Sequence, residues 1–355
     1  MVRRIAFAVP GDLAAPTGGY AYDRRMIAEL EQIGWHVDIV SLGEGFPWPS
    51  EETRRAAEAR LLAVPNGDTI VVDGLAFGVL PDEGLNLRAN RPLIALVHHP
   101  LALESGLSAQ QIVALRNSER MALAAATRVV VTSGATARCL AADYGVPADQ
   151  IIVAPPGVDP APIARGNIAR VVQLLSIGAV VPRKGYDVLI ASLATLSELP
   201  WRLSIAGDLG RDPKYAAALE KDIARFRLEA QVTLFGAVPS TRLAELYANA
   251  DVFVLASRFE GYGMAYAEAI ARGLPVIGTT AGAIPDTVPA GASVLVPPDD
   301  EAALARALRH VIAEPGERAK RAACARKAAT QLPNWQNSAK FLRRWISFLA
   351  RMRDG

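Results

Sequence analysis

Short apolar runs that alternate with amphipathic segments are the feature of this chain that most constrains its fold. Six runs occur in each half, and they are continuous stretches rich in β-branched residues rather than alternations of apolar and polar residues. Strands of that kind are buried on both faces, as in a parallel sheet covered by helices. In chain order the runs are RIAFAV, HVDIVSL, TIVVDGL, LIALVHH, RVVVTS and IIVAPP, then VVQLLSIG, WRLSIAG, QVTLFG, ADVFVLAS, LPVIGTT and ASVLVPP.

The length of the chain and one break in the alternation set the number of domains. A chain of 355 residues is too long for one ordinary core. A proline-rich segment without a clear period, near 159–167, separates the two sets of runs and is predicted to be a linker. We therefore predict two doubly wound α/β domains, 1–165 and 166–335. Ligands of such folds bind outside the carboxyl ends of the strands, so a cleft between two facing domains is the expected site.

Composition narrows the class of protein. With 38 basic and 36 acidic residues the net charge is +2, and no basic stripe is interleaved with aromatic residues, so nucleic acid is not an expected partner. Cys139 and Cys324 lie in different halves without metal-ligand spacing, which predicts a reduced, cytoplasmic protein. The basic, amphipathic tail FLRRWISFLARMRDG is predicted to form a packed terminal helix, with contact to the inner face of a membrane as the alternative.

Loops at predicted strand ends in the first half carry residues suited to ligand contact. Gly18 and Gly19 follow the first strand and precede a predicted helix, where the backbone can approach an anion closely. His98 and His99 stand where LIALVHH opens into the expected cleft, and His98 is the stronger candidate. Asp73 is placed in the same way at the end of TIVVDG. The first loop lacks a G-x-G-x-x-G pattern, which argues against a dinucleotide-dependent oxidoreductase.

Loops in the second half combine cations with carboxylates. Arg183 and Lys184 precede a glycine and a predicted helix, an arrangement suited to holding a diphosphate. Glu260 follows a strand, and Glu268 lies eight residues later on the helix that begins after E-G-Y-G. Two separated acceptors suit a sugar joined to a ribose, with phosphates between them near the positive end of the helix. The sequence therefore predicts a site for a nucleotide linked to a sugar.

These motifs resemble those of a known family. The chain is similar to nucleotide-sugar-dependent glycosyltransferases of the GT-B fold, in the retaining family 4 (glycosyl transferases group 1). FEGYGMAYAEAIARGLPVI matches the E-x7-E signature of that family and SIGAVVPRKGYDVLIASL its phosphate loop, while GAVP at 236–239 and the Gly18-Gly19 loop also agree. The resemblance implies two Rossmann-like domains facing each other across a cleft, an acceptor-side domain first and a donor-binding domain second. It also implies that the terminal helix, 336–355, packs back on the first domain.

The resemblance also implies roles for individual residues. It places Lys184 at the donor diphosphate, Glu268 at the ribose hydroxyls and Glu260 at the transferred sugar. Many members carry an arginine where this chain has Ala179, and we hypothesise that Arg183 supplies the missing charge. The implied catalytic residues are His98, Lys184 and Glu260, and the implied donor-binding residues are Gly18, Gly19, Arg183, Lys184, Val238, Glu260, Gly261, Tyr262, Gly263 and Glu268.

The function that the resemblance implies is transfer of a hexose-type sugar, with retained configuration, from a UDP- or GDP-linked donor. The acceptor is expected to be a hydroxyl of a glycan, a glycolipid or a small molecule. The sequence contains no D-x-D, so neither a metal nor a separate cofactor is expected, and Asp299 and Asp300 are predicted to cap a helix. Two alternatives remain: a noncatalytic nucleotide-sugar binder, and a sugar-phosphate synthase or phosphorylase in which Arg24 and Arg25 contact a phosphorylated acceptor.

Overall fold

The chain folds into two compact units. A computed structural model describes residues 3–88, 91–166 and 171–353. Residues up to 157 and those from 333 onwards form unit 1, and residues 158–332 form unit 2. Parts of three predictions lie outside the described residues. These parts are Asn167 of the predicted linker, 167–170 of the predicted second domain and 354–355 of the predicted terminal helix.

Unit 1 is built on one six-stranded sheet. Its strands are β1 (Arg3–Val9), β2 (Trp35–Ser41), β3 (Thr69–Asp73), β4 (Leu93–Val97), β5 (Arg128–Val131) and β6 (Ile151–Val153). Its helices are α1 (Gly18–Gln32), α2 (Glu51–Leu62), α3 (Gly74–Phe77), α4 (Pro81–Arg88), α5 (Ala109–Ala125), α6 (Gly134–Asp143) and, at the end of the chain, α14 (Trp335–Arg353). The strands lie in the order β2-β1-β3-β4-β5-β6 and every pairing is parallel.

Unit 2 repeats the arrangement. Its strands are β7 (Val172–Ile177), β8 (Trp201–Ala206), β9 (Val232–Leu234), β10 (Val252–Val254), β11 (Val276–Thr279) and β12 (Ser293–Val296). Its helices are α7 (Tyr186–Ala194), α8 (Pro213–Arg225), α9 (Ser240–Asn249), α10 (Met264–Ala271), α11 (Ile284–Thr287), α12 (Glu301–Ala313) and α13 (Pro315–Ala329). The strand order is β12-β11-β10-β7-β8-β9, again with parallel pairings.

Burial explains why continuous apolar runs predict these strands. All five residues of β3 and all five of β4 are buried, because helices cover both faces of the middle of the sheet. The edge strand β2 instead alternates buried and exposed positions over its first residues, since only one of its faces meets the core. The prediction of a doubly wound α/β fold is confirmed.

Two predicted strands are shorter in the structure than in the sequence pattern. LIALVHH predicts a strand through His99, but β4 ends at Val97 and both histidines lie in the loop that follows. ADVFVLAS predicts a strand of eight residues, of which only Val252–Val254 form β10. The loop that follows a central strand is also buried, as Leu255 and Ala256 after β10 show. An apolar run therefore continues beyond the last residue that pairs with a neighbouring strand.

The terminal helix α14 and the segment around the predicted linker each pack within one unit. In α14 the Trp335 ring lies 5.8 Å from that of Tyr22 in α1, and the Ser338 hydroxyl donates to the Pro155 carbonyl at 2.5 Å. In unit 2, Ala164 and Arg165 donate backbone hydrogen bonds to the carbonyls of Arg272 and Ala248. No helix among the described residues is both long enough and apolar enough to cross a bilayer.

Gly185 marks a close approach within unit 2. It lies between the turn Pro182–Lys184 and α7 with φ of +65°, a conformation that favours glycine. A Cβ atom there would also collide with the backbone carbonyl of Ala256, just after β10. The loops that follow β7 and β10 therefore touch at a position that accepts no side chain.

We expect Gly185→Ala to lower the free energy of unfolding of unit 2 by at least about 2 kcal/mol, because it adds both backbone strain and a collision. Urea denaturation followed by circular dichroism measures the loss. Gly316→Ala is the matched control, since Gly316 begins α13 facing open space and has no left-handed φ. Equal stability of the two variants would contradict the close approach.

Candidate active site

The two sheets each have one point at which the order of the strands reverses. In unit 1 it lies between β1 and β3, and in unit 2 between β10 and β7. Helices leave such a point toward opposite faces of the sheet, which opens a crevice outside the carboxyl ends of the strands. The predicted site residues gather at these two points, in a cluster within each unit.

The unit 1 cluster consists of His98, Asp23 and Asp73. Asp73 ends β3, His98 directly follows β4, and Asp23 comes from α1. The Nε2 atom of His98 lies 3.1 Å from Oδ1 of Asp23 and 3.6 Å from Oδ2 of Asp73. Both aspartates are fully enclosed, whereas 19% of the His98 side chain is exposed. The imidazole therefore stands between two buried carboxylates and the surface of unit 1.

Charge in the unit 1 cluster favours the protonated imidazole. Burial alone would lower the pKa of His98, but the charges of the aspartates and their hydrogen bonds outweigh burial and raise it to about 10. Burial and the nearby Asp73 carboxylate raise the pKa of Asp23 to about 7. Burial alone would raise the pKa of Asp73, yet hydrogen bonds from His98, Asp23 and the Leu75 amide lower it. His98 is thus held as an imidazolium at neutral pH.

Neighbours fix the His98 ring from the remaining sides. A Cβ atom on Gly19 would approach Cδ2 of His98 to 3.1 Å, so glycine leaves the ring its space. The Tyr22 ring meets it edge-on at 5.3 Å, and the Thr132 hydroxyl donates to the His98 carbonyl at 3.1 Å. Gly18 and Gly19 form the first residues of α1 rather than preceding it, and Thr17 caps the helix.

The unit 1 cluster also contains the donor types of a metal site. Among the described residues, Asp23, Asp73 and His98 form one group whose ligand atoms all lie within 4.8 Å of one another. The separations between the imidazole nitrogen and the carboxylate oxygens are those of a charge-assisted hydrogen bond and an ion pair. We therefore interpret the group as a hydrogen-bonded charge cluster, and the absence of a metal stays a prediction.

The unit 2 cluster joins the loops that follow β7 and β10. Lys184 Nζ lies 2.6 Å from Oε1 of Glu260, and Arg183 Nη1 lies 3.3 Å from Oε2. The Ser257 hydroxyl donates to Oε1 of Glu260 at 2.7 Å, and Arg183 Nη1 also donates to the Phe259 carbonyl at 2.9 Å. The structure thus brings together three residues that the sequence assigns to phosphate and sugar.

The buried Glu260 carboxylate depends on these cations. Burial by itself would raise the pKa of Glu260, but Lys184, Arg183 and the Ser257 hydroxyl outweigh burial and lower it to about 2. With only 8% of its side chain exposed, Glu260 is an anion fixed between two cations. The sequence places Glu260 beside the transferred sugar and does not anticipate this pairing.

Glu268 lies apart from that ion pair, on α10. Its Oε2 atom accepts a hydrogen bond from the Tyr247 hydroxyl at 2.9 Å, and the Arg272 guanidinium stacks 4.0 Å from the Tyr247 ring. Among the described residues no hydrogen-bond donor is assigned to Oε1 of Glu268. Burial raises the pKa of Glu268, while Tyr247 and Arg272 oppose that rise. Sequence reasoning missed Tyr247, whose place on the preceding helix gave no local signal.

The E-G-Y-G loop is shaped by residues further along the chain. Gly263 begins α10 with φ of +91°, and Gly282 has φ of +57° where a Cβ atom would collide with the Glu260 carbonyl. The Thr287 hydroxyl donates to the Tyr262 carbonyl at 2.5 Å. Gly282 and Thr287 were missed by the sequence analysis, although the A-G pair directly after a strand is a signal of close approach.

The remaining residues singled out by the sequence take no part in these ion pairs. Val238 is partly buried in the loop between β9 and α9, where Gly236 has φ of +66°. Ala179 precedes the Pro182–Lys184 turn, and Gly261 is buried within the E-G-Y-G loop. His99 lies 3.4 Å from Glu104 and does not join the unit 1 cluster.

Comparison with known proteins agrees with this geometry. The family model "Glycosyl transferases group 1" matches residues 166–330, and "Glycosyltransferase Family 4" matches 76–162. A similar sequence is the MMP alpha-(1->4)-mannosyltransferase of Mycolicibacterium hassiacum, 29% identical over 318 residues, or 83% of this chain and 74% of that protein. The chain spans about half the length of several D-inositol 3-phosphate glycosyltransferases that it also matches.

Solved structures show the same fold. Sucrose-phosphate synthase from Thermosynechococcus elongatus superposes with a TM-score of 0.83 at 23% identity, covering 98% of this chain and 99% of that one. HepE from Anabaena in complex with UDP-glucose gives 0.77 at 20% identity, covering 97% and 100%. The fold and its two strand-order reversals thus define a GT-B protein. With the family models, the chain belongs to the group 1 glycosyltransferases.

We expect Asp23→Asn to return the pKa of His98 from about 10 toward its ordinary 6.5, because one of two neighbouring charges is removed. In the wild type, the stability that His98 gains from its proton is full below about pH 6.5 and is lost as the pH rises through about 10. An NMR titration of the His98 ring measures both forms.

The matched control is Asp38→Asn, because Asp38 pairs with the exposed His36 at 3.0 Å on β2. That substitution should leave the titration of His98 unchanged. A wild-type His98 that titrates near its ordinary pKa would show that the two buried aspartates do not hold its proton.

Proposed function

We propose that the protein transfers a hexose-type sugar from a nucleoside-diphosphate sugar to a hydroxyl group, with retained anomeric configuration and without a metal ion. The observation that carries the proposal is the unit 2 cluster. Two cations and one buried carboxylate stand where the strand order of unit 2 reverses, at the carboxyl ends of β7 and β10. Cations there suit a diphosphate, and the buried carboxylate suits sugar hydroxyls.

The donor is proposed to bind unit 2 along these loops. Lys184 and Arg183 would contact the diphosphate, and Glu268 would accept hydrogen bonds from the ribose through the oxygen that Tyr247 does not use. A UDP-linked donor is supported by the UDP-glucose bound in HepE, and a GDP-linked donor remains the alternative. The mannosyltransferase and glycosyltransferase names of the related sequences support a sugar as the transferred group.

The proposed reaction is a front-face substitution at the anomeric carbon. The bond between that carbon and the phosphate oxygen breaks as the acceptor oxygen forms its bond on the same face. The acceptor proton passes to the leaving phosphate oxygen, so the nucleoside diphosphate departs with that proton. Lys184 and Arg183 would stabilise the negative charge that grows on the diphosphate, because they are already fixed in place by Glu260.

His98 is proposed to act near the reacting carbon as a donor of charge and hydrogen bonds. An imidazolium held by two buried aspartates offers a proton but no lone pair at neutral pH, so it suits stabilisation of an oxygen rather than removal of a proton. This role agrees with a reaction in which the leaving phosphate accepts the acceptor proton.

A phosphorylated acceptor is the second candidate, favoured by the names of D-inositol 3-phosphate glycosyltransferase and sucrose-phosphate synthase among the similar proteins. In unit 1, however, the two arginines that this alternative depends on have structural partners. Arg24 donates to the carbonyls of Leu13 and Ala15, and Arg25 pairs with Glu29 and stacks on Trp335. We therefore favour an unphosphorylated acceptor.

We also propose a cytoplasmic location, in keeping with the free thiols of Cys139 and Cys324.

A donor panel tests the function. We expect the protein, in the presence of EDTA, to release UDP or GDP from one nucleotide sugar faster when an acceptor is added. Lys184→Ala should lower kcat/KM by about 2–3 orders of magnitude, or roughly 3–4 kcal/mol, because the diphosphate loses its closest cation. The matched control is Lys221→Ala on the exposed face of α8. Loss of activity in EDTA would contradict the metal-free reaction. Full activity of Lys184→Ala would contradict the proposal that Lys184 contacts the diphosphate.

The two glutamates should separate binding from turnover. We expect Glu268→Gln to weaken both UDP-sugar and free UDP by roughly 1–3 kcal/mol, since an amide group cannot replace the ribose acceptor while it also serves Tyr247. Glu260→Gln should spare UDP affinity and lower kcat, because the amide oxygen of Gln can still accept a hydrogen bond from Lys184 while the negative charge proposed to face the sugar is lost. Calorimetry with UDP and a transfer assay measure each variant, with GDP in place of UDP if the donor is GDP-linked. Equal losses in both assays would contradict this division.

A further inference from the structure

Arg258 lies beside the unit 2 cluster and makes hydrogen bonds to the Pro182–Lys184 turn, to the first turn of α7 and to the loop before α12. Its Nη1 donates to the Pro182 carbonyl at 2.5 Å and to Oδ1 of Asp187 at 3.1 Å. Its Nη2 donates to Oδ2 of Asp187 at 2.8 Å, and its Nε donates to Oδ1 of Asp299 at 2.7 Å. The Arg258 backbone amide also donates to the Arg183 carbonyl at 2.8 Å.

These contacts tie the two loops of the unit 2 cluster together at successive residues. Arg258 holds the carbonyls of Pro182 and Arg183, while the Arg183 side chain returns a hydrogen bond to the Phe259 carbonyl. The next pair along both loops is the ion pair of Lys184 with Glu260. The distance between the two cations and Glu260 is therefore set by a ladder of contacts that begins at Arg258.

The partners of Arg258 hold it in one orientation and neutralise its charge. Asp187, in the first turn of α7, binds both terminal nitrogens and is itself held by the Tyr215 hydroxyl at 2.7 Å. Asp299 keeps φ of +60°, a conformation that favours glycine, while its carboxylate meets Arg258. Asp300, by contrast, caps α12 as predicted. Flanked by two carboxylates, the guanidinium is suited to positioning a loop rather than to binding a phosphate.

We propose that Arg258 is a positioning residue of the donor site, which fixes the Pro182–Lys184 turn so that Lys184 is correctly placed for a diphosphate. The inference rests on the proposed function. Arg258 acts through Lys184 and touches neither phosphate nor sugar. Its loss should therefore matter only while Lys184 is present.

The experiment is a double-mutant cycle with free UDP and free GDP as the probes, measured by calorimetry. The affinities are compared for whichever of UDP and GDP the wild type binds more tightly. For that nucleotide we expect Arg258→Met to raise Kd about tenfold. In a Lys184→Ala background the same change should weaken binding less than about twofold, because coupled residues are not additive. Arg258→Lys should recover little, since an ammonium cannot reproduce the forked contacts to Asp187 and Asp299.

Arg309→Met is the matched control, because Arg309 on α12 forms an exposed ion pair with Glu198 at 2.6 Å and has no hydrogen bond or ion pair to the Pro182–Lys184 turn in the part of the chain that the structure describes. It should bind the nucleotide as the wild type does, and thermal unfolding should show Arg258→Met to be folded. If Arg258→Met does not fold, Asp299→Gly takes its place. Glycine suits the φ of +60° at this position and removes only the contact to Nε. The expected loss is about threefold and should also vanish in the Lys184→Ala background.

Three results would overturn the inference: wild-type affinity in Arg258→Met, an equal loss in both backgrounds, or full recovery in Arg258→Lys. If the wild type binds neither nucleotide, the proposed function fails and the inference fails with it. If the wild type binds UDP or GDP, Lys184→Ala loses that binding and Arg258→Met keeps it, the proposed function stands and the inference alone is wrong.

Discussion

The ion pair between Lys184 and Glu260 is the contact on which the proposed donor site of this glycosyltransferase depends. A carboxylate as enclosed as Glu260 would be costly to bury alone, and a cation removed from its partner would be equally costly. With Lys184 and Arg183 around Glu260, the buried carboxylate and both cations have partners of opposite charge. The same ion pairs hold the loops after β7 and β10 together. Gly185 lets the loop after β7 approach the residues after β10, and Gly282 lets the loop after β11 approach Glu260, because neither position has room for a side chain.

The two units use the same scaffold for opposite electrostatic purposes. In unit 1 a single imidazole lies between two buried carboxylates, whereas in unit 2 a single carboxylate lies between two cations. Each cluster draws its members from strand ends or helices beside the reversal of strand order. The excess of cations in unit 2 suits a diphosphate, and the charged His98 of unit 1 suits contact with oxygens. The two units thus differ in the charges placed at the strand ends and on the adjoining helices, while the fold is the same.

Most of the architecture could be predicted because its signals are local. Continuous apolar runs identified the strands, and α1 is the helix predicted to follow the first of them. The ends of β4 and β10 could not be predicted, since they depend on which neighbouring strand is paired. Arg183, Lys184 and Glu260 could be singled out because each follows a strand, whereas Tyr247 lies within the helix α9 and carries no comparable signal.

The sequence by itself determined the type and order of the elements and the residues that stand at strand ends. These follow from continuous apolar runs, from the helical period of 3.6 residues and from the conformations of glycine and proline, all of which act over a few positions. The tertiary structure alone decided which of those residues meet. His98 finds Asp23 across 75 positions of the chain, and Lys184 finds Glu260 across 76. Such contacts are created by the order of strands in a sheet, and no local period encodes that order.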